Sequence, residues 1–238
     1  MMLMMMMSGL HSPSLHFHIG AWAVTALCTF LAFWVNFLQK RNLLPKKLAE
    51  ILGPYAVQRL DYVAHVTGII GFLGIVGSAY LGFIDASGVP NPSPFDVNAA
   101  LEGMNVAFNN DVLAFKVTWT VVALQAFIFA GLIRFYFVTL NHANTVYDQH
   151  YTIQIIYAES TLLGFFFIVM VAGAGGIWVY GSSILSGVPI LQDFLPGGNL
   201  IVPLAVLAGL LTLTLLVSTI LRESVVKEAK KKQLANME

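Results

Sequence analysis

The histidines His16 and His18 are residues that could hold a cofactor, since both stand just before an apolar stretch long enough to cross a membrane. Two residues apart on a helix, their side chains point to nearly opposite sides. At most one of them therefore faces a helix bundle, and the two cannot share one haem iron. Lys116 begins another apolar stretch at a similar depth. We interpret Lys116 as a lysine whose ammonium reaches the headgroups, in preference to a buried partner for His16.

A second group of ionisable side chains lies at the other membrane edge. His65 and Glu159 each begin an apolar stretch, so they could form a hydrogen-bonded pair, a proton relay or two ligands of a metal site. His142 and His150 follow in a nearby connection, but their spacing matches no compact metal motif such as HExxH. We favour solvated interfacial histidines together with one structural ion pair.

The candidate sites are therefore few, and none is catalytic. The candidate cofactor-binding residues are His16, His18 and His65, and the candidate proton or ion-pair residues are His65, Glu159 and Lys116. The identity of any metal stays open. The sequence contains no phosphate-binding loop of the Walker type, no CxxC motif and no Ser-His-Asp set. The one cysteine, Cys28, excludes disulfides and cysteine metal clusters within one chain.

Five apolar stretches must position these residues. We predict an all-α bundle with membrane spans at about 19–38, 62–84, 112–138, 153–180 and 200–221. Apart from Lys116, all Lys and Arg residues follow the first, third and fifth stretches. Because positive charge is held on the cytoplasmic side, this pattern predicts an outer N-terminus and a cytoplasmic C-terminus. Lys47 and Lys231 then lie in the cytoplasm, and Asp96 and Asp193 lie outside.

Glycines and connections complete the predicted bundle. Small residues on one stripe let helix backbones approach closely, so we predict helix packing at Gly68, Gly71, Gly74, Gly77, Gly173, Gly175 and Gly176. The connection 42–61 predicts a short amphipathic helix on the membrane, broken at Gly53 and Pro54. The outer connection 85–111 reads as a long irregular loop, and residues 222–238 read as a basic cytoplasmic tail.

Composition supports one multi-pass membrane domain over 1–238. The chain is 58% hydrophobic and 10% charged, whereas soluble domains carry about 25% charged residues. We expect a location in the plasma membrane and lipids as partners. The formal net charge is zero, and no broad basic surface suggests nucleic acid as a partner.

Three segments resemble the DUF2231-type predicted membrane proteins. Residues 15–20 (LHFHIG) are similar to the "H-F-P-I-G" start of that family, 77–85 (GSAYLGFID) to the close of its second span, and 173–180 (GAGGIWVY) to its "G-x-G-G-x-L-V-Y". The resemblance covers the first four spans and implies haem or metal binding at outer histidines. His16 matches the first histidine, His18 replaces the proline, and Lys116 stands where a second histidine is expected.

The sequence is compatible with three functions. The first is a non-catalytic accessory or structural subunit of a larger membrane complex, of an energy-transducing or oxidoreductase kind, with other membrane subunits as partners. A haem b, copper or zinc site would then be shared with such a partner. The second is a small b-type haem or metal-binding redox protein, or a quinone-interacting one. The third is a proton-coupled transporter, which the five dissimilar spans disfavour.

Overall fold

The computed structural model describes residues 17–180, of which 111–112 and 173–180 are described as backbone only. Six helices follow one another within this range, and the range contains no strand. They are α1 (Phe17–Lys40), α2 (Lys46–Leu52), α3 (Ala56–Ala86), α4 (Val97–Phe108), α5 (Asp111–Arg134) and α6 (Tyr151–Tyr180). A π-helical segment, Phe135–Leu140, continues α5, and a 3₁₀ turn, Val146–Asp148, precedes α6.

Four helical segments are long and apolar enough to cross a membrane: Phe17–Lys40, Ala56–Ala86, Leu113–Leu140 and Tyr151–Ala172. This confirms the all-helical prediction for the described part of the chain and is consistent with a membrane protein. The fifth predicted span, 200–221, and the basic tail lie outside the described residues. The first and third segments begin and end within two residues of their predicted spans. Ala56–Ala86 begins six residues before the predicted start. Tyr151–Ala172 begins two residues before its predicted start, and the helix that contains it, α6, ends at the predicted residue 180.

The spanning helices pack in the order α3, α1, α6, α5. α1 packs along both α3 and α6, and α5 packs along α6, whereas α3 and α5 touch only weakly. The four described spanning helices therefore leave the side between α3 and α5 open. One end contains the C-termini of α1 and α5 with Lys40 and Arg134, and we call it the basic end. The opposite end contains α4.

The connection between α1 and α3 holds α2, where the sequence predicts a short amphipathic helix. α2 begins after Pro45 and buries none of its seven residues. Gly53 ends it with φ +70°, a left-handed conformation that favours glycine, and donates its backbone N–H to the carbonyl of Ala49. Ile51 is 80% exposed, whereas Leu52 at the end of α2 is partly buried and packs against the core of the bundle.

The connection 85–111 is not an irregular loop as predicted, because α4 occupies residues 97–108. The carboxylate of Asp96 caps this helix by accepting from the backbone N–H of Ala99 at 3.0 Å. Its small residues lie against the end of α3, where a Cβ at Gly103 would overlap the backbone carbonyl of Phe83. The prolines at 90–94 obscured this pattern, since they precede the helix instead of interrupting it.

Candidate functional site

An ion pair joins α3 to α5 at the basic end. Both Nε and Nη2 of Arg134 donate to the same oxygen, Oδ2 of Asp61, at 3.2 and 3.1 Å. Asp61 is almost completely buried, whereas the Arg134 side chain is 14% exposed. Oδ1 of Asp61 is buried and has no hydrogen-bond partner in the described part of the chain. The pair therefore uses only one carboxylate oxygen of Asp61. It leaves Nη1 of Arg134 without a partner among residues 17–180.

A hydrogen-bond network next to this pair joins α1, α6 and the turn between α5 and α6. The carbonyl of Tyr147 accepts from Nδ2 of Asn36 at 3.2 Å, Nζ of Lys40 at 2.9 Å and Nε2 of Gln154 at 2.9 Å. Nδ2 of Asn36 also donates to Oε1 of Gln154 at 2.9 Å. The buried amides are hydrogen-bonded to one another and to backbone carbonyls, so the network holds these elements together. We call this network the clamp.

The side chain of Tyr147 extends the clamp into the bundle. Its hydroxyl donates to the carbonyl of Thr29 at 2.7 Å, and the side chain is fully buried. Burial raises the pKa of the Tyr147 phenol well above its ordinary value, so the group stays a neutral donor. A capping box formed by Thr145 and Asp148 holds the turn that carries Tyr147.

A cleft opens between α3 and α5, where these helices fail to meet. It has a volume of about 220 Å³, and its floor is formed by α1 and α6. Most of its lining is apolar, with Phe72 and Leu73 on one wall and Phe127 and Gly131 on the other. Its polar lining residues are Thr25, His65, Arg134, Tyr157 and Thr161. The cleft is thus an apolar slot with ionisable and hydroxyl groups among its walls.

His65 and Glu159 do not form the predicted pair. His65 lines the cleft together with Tyr157 and Thr161 of α6. Glu159 lies two residues from each of these, which places it about 200° around the helix, on the other side of α6. No hydrogen bond or ion pair joins His65 to Glu159 in the described chain. The predicted depth is consistent with the structure, but the helix faces are different.

The predicted outer residues are dispersed. His16 lies outside the described residues, and His18 is buried with its ring edge-on to Phe17 and Trp22. Lys116 is partly buried on α5, and its ammonium makes no ion pair among residues 17–180. His142 and His150 are exposed in the connection before α6.

The predicted glycine stripe on α3 faces α1 over part of its length. A Cβ at Gly71 would overlap the indole of Trp22, and a Cβ at Gly74 would lie 2.8 Å from Cβ of His18. Gly68 lies at ordinary contact distance from Thr25, and its carbonyl accepts from Nε1 of Trp22 at 3.2 Å. Gly77 meets no atom within 4 Å. Gly173, Gly175 and Gly176 are described as helical backbone only.

The described residues do not fit a haem or metal site held by this chain alone. No three His, Cys, Asp or Glu side chains within residues 17–180 come together as a ligand group. His18 lies level with Gly74, nine residues along α3 from His65, which is roughly 14 Å of helix rise. Two imidazole nitrogens on one ion lie about 4 Å apart, so one ion cannot bind both residues.

Comparison with known proteins adds no assignment: no family model, curated protein or solved structure matches this chain. The resemblance to DUF2231-type proteins therefore stays a prediction.

Sequence reasoning missed the residues that the structure places together, namely Asp61, Arg134 and Tyr157. The sequence analysis places Asp61 and Arg134 at span boundaries and does not pair them. A signal was present, since both lie at the same predicted membrane edge with opposite charges.

Proposed function

We propose that the chain is an integral membrane accessory subunit, which docks on another membrane protein and performs no chemistry by itself. The observation that carries this proposal is an exposed apolar stripe on α4, a helix outside the four spanning segments. The stripe consists of Val97, Leu101, Met104 and Phe108, which are 61, 55, 36 and 58% exposed. Their spacing of four, three and four residues places them on one side of the helix.

α4 has three faces, and each has its own composition. One face buries Ala99, Ala100, Gly103 and Ala107 against the bundle. A second face carries the exposed polar residues Asn98, Glu102 and Asn105. The third is the apolar stripe. Because the small residues already attach α4 to α3, the stripe is available for another surface.

A protein surface suits this stripe better than a lipid surface does. Helices that lie on anionic membranes are rich in Lys and Arg on their polar face. Residues 85–111 contain no Lys or Arg, and the polar face of α4 carries Asn and Glu. Anchors at positions i, i+4, i+7 and i+11 are typical of a helix that lies in the groove of a partner protein.

Photocrosslinking from position 101 tests the proposal directly. A photoreactive amino acid replaces Leu101, and the same residue replaces Asn98 on the polar face as a matched control. We expect a discrete protein adduct, larger than the chain, from position 101 in native membranes and little adduct from position 98. Adducts with lipid alone, or links within the chain to 1–16 or 181–199, would contradict the docking role.

A second test compares one variant on the apolar stripe with one on the polar face, and asks whether each chain remains in its complex. Leu101→Asp should release the chain from its complex, because a charge would be buried in an apolar interface. Glu102→Gln, one residue away on the polar face, should leave the complex intact. Native gel electrophoresis of mild-detergent extracts measures both. An unchanged particle mass for Leu101→Asp, with the fold retained, would count against the proposal.

We extend the proposal to the threading of the chain in the plasma membrane, with five spans, an outer N-terminus and a cytoplasmic C-terminus. The distribution of Lys and Arg supports this orientation. In a Cys28→Ser background, Phe95→Cys should react with an impermeant thiol reagent on intact cells, and Lys47→Cys should react only after lysis. Both positions are exposed, so accessibility to the reagent depends on the side of the membrane. The reverse labelling pattern would invert the topology.

A further inference from the structure

Within residues 17–180, the cleft between α3 and α5 opens sideways, towards the phase that surrounds the spanning helices. The helices that form its walls, α3 and α5, are both membrane-spanning segments. A molecule dissolved in the bilayer can therefore enter from the side, without first crossing into water. Its apolar tail would lie along Phe72 and Leu73, which are both part of the lining.

Three hydrogen-bonding groups of the lining have no partner among the described residues. They are Nη1 of Arg134, the hydroxyl of Tyr157 and the imidazole of His65. Tyr157 is 3% exposed and lines the cleft, so a molecule inside the cleft can serve as a partner for its hydroxyl. In an apolar medium an unsatisfied polar group is costly, and a ligand that accepts hydrogen bonds would relieve that cost.

The charge of the cleft favours a neutral ligand. The guanidinium of Arg134 is already balanced by Asp61 at 3.1 Å. A carboxylate or phosphate headgroup would add an unbalanced negative charge at membrane depth, which is expensive. Nη1 of Arg134 and the Tyr157 hydroxyl can both donate, so the complementary group is an uncharged acceptor oxygen, such as a carbonyl.

The volume of the cleft suits a single ring. An apolar protein cavity of about 150 Å³ accepts benzene. The cleft has about 220 Å³, which leaves space for ring substituents and for the start of a tail. A double-chained phospholipid headgroup is larger and charged, and a plain acyl chain would leave all three polar groups unsatisfied.

We propose that this cleft is a binding site for a neutral membrane-soluble amphiphile with a carbonyl-bearing ring, the chemistry of an isoprenoid quinone. Arg134 and Tyr157 donate to a ring carbonyl, His65 lies beside the ring, and the tail leaves between α3 and α5. The proposal concerns binding only and is independent of docking through α4.

Binding of decyl-ubiquinone to the purified full-length chain tests this site. Phe127 lines the cleft and stacks on Trp22 with 3.8 Å between ring centroids, so saturable quenching of tryptophan fluorescence reports binding. Gly131→Leu should weaken binding at least tenfold by filling the cleft. A Cβ at Gly131 meets no atom within 4 Å, so the substitution is compatible with the fold.

Matched variants separate the site from general effects. Gly77→Leu also adds a side chain where no atom lies within 4 Å, but Gly77 does not line the cleft, so binding should be unchanged. Tyr157→Phe keeps the ring and removes one donor, which should weaken binding about threefold to tenfold. Tyr62→Phe, at a residue 64% exposed, should have no effect.

Competition by decylbenzene distinguishes a carbonyl site from an apolar slot. It has the ring and the tail without an acceptor oxygen, so we expect it to compete at least threefold more weakly than the quinone. Equal competition would overturn the assignment of the polar groups. Unchanged affinity in both Gly131→Leu and Tyr157→Phe, or quenching that never saturates, would overturn the site itself.

Discussion

The two halves of the bundle hold their helices together by different means. At the basic end, Asp61 and Arg134 form an ion pair, and the carbonyl of Tyr147 gathers donors from Asn36 and Gln154. Towards the opposite end the contacts are between rings and glycine, as where Gly71 accommodates Trp22. Lipid provides no hydrophobic drive for helix association, so hydrogen bonding and close packing are the two available means. In this protein polar contacts predominate at the basic end and close packing predominates in the other half, where Nε1 of Trp22 also donates to the carbonyl of Gly68.

The difference has a consequence for tolerance to change. A polar contact at the basic end depends on both partners, because removing one leaves a buried group unsatisfied. A glycine contact in the other half depends on the absence of atoms, so any added side chain collides. The basic end should therefore tolerate paired changes, whereas the glycine contacts should not.

The largest expected effect comes from breaking the ion pair. Asp61→Leu or Arg134→Met should reduce the free energy of unfolding by about 3–5 kcal/mol, because each leaves a buried partner uncompensated. The double variant Asp61→Leu/Arg134→Met should recover most of this loss. Unfolding by titration with SDS in mixed micelles measures all of them.

Arg59→Gln provides the control, since Arg59 is exposed near the same end of the bundle. It should stay within about 0.5 kcal/mol of the unmodified chain. Strictly additive losses in the double variant would show that Asp61 and Arg134 contribute independently, and the contrast between the two halves would then lose its basis.

An intermediate effect is expected from Gly71→Ala in the other half. The added Cβ would overlap the buried Trp22 ring, and overpacking of this kind costs about 1–3 kcal/mol. Gly77→Ala on the same helix meets open space and should be neutral. Thermal unfolding in detergent compares the two variants. Equal stability of both would mean that α1 and α3 are not in close contact at Gly71.

These two predictions also show how far the sequence reaches. The spans follow from the length and apolarity of the stretches, and the register of Gly71 and Gly74 follows from their spacing. The partners of Asp61 and Glu159 cannot be predicted in this way. Hydropathy gives the depth of a residue in the membrane, but it does not identify the neighbouring helix that the residue faces. Glu159 lies near the level of His65 on the wrong side of α6, and Tyr157, an ordinary aromatic in the sequence, lines the cleft instead.

α4 was missed for a different reason. The stripe Val97, Leu101, Met104 and Phe108 has clear helical spacing, and Asp96 is a standard cap. Prolines before it and asparagines around it gave the connection the composition of a loop. The prediction of a loop rests on local composition, whereas the helical periodicity of the stripe corresponds to the observed helix.

The smallest effect is expected from removing the hydrogen bond that joins the Tyr147 side chain to α1. Tyr147→Phe removes the hydrogen bond to the Thr29 carbonyl and should cost about 0.5–1.5 kcal/mol. Because burial raises the pKa of the phenol, the loss should be the same at pH 6 and pH 9, both below the ordinary phenol pKa of about 10. Chemical unfolding at the two pH values measures this. A loss that disappears at pH 9 would mean that the phenol ionises in the native state.

The clamp also sets the order of events during synthesis. Asn36 finds its partner Gln154 only 118 residues later in the chain. At a synthesis rate of about 5–20 residues per second, the ribosome needs about 6–24 s to deliver that partner. During this interval the first helix carries an unsatisfied amide near the bilayer edge, where headgroups, water or an insertion factor must accommodate it. Faster decoding between codons 36 and 154 should shorten this exposure and raise the yield of inserted protein.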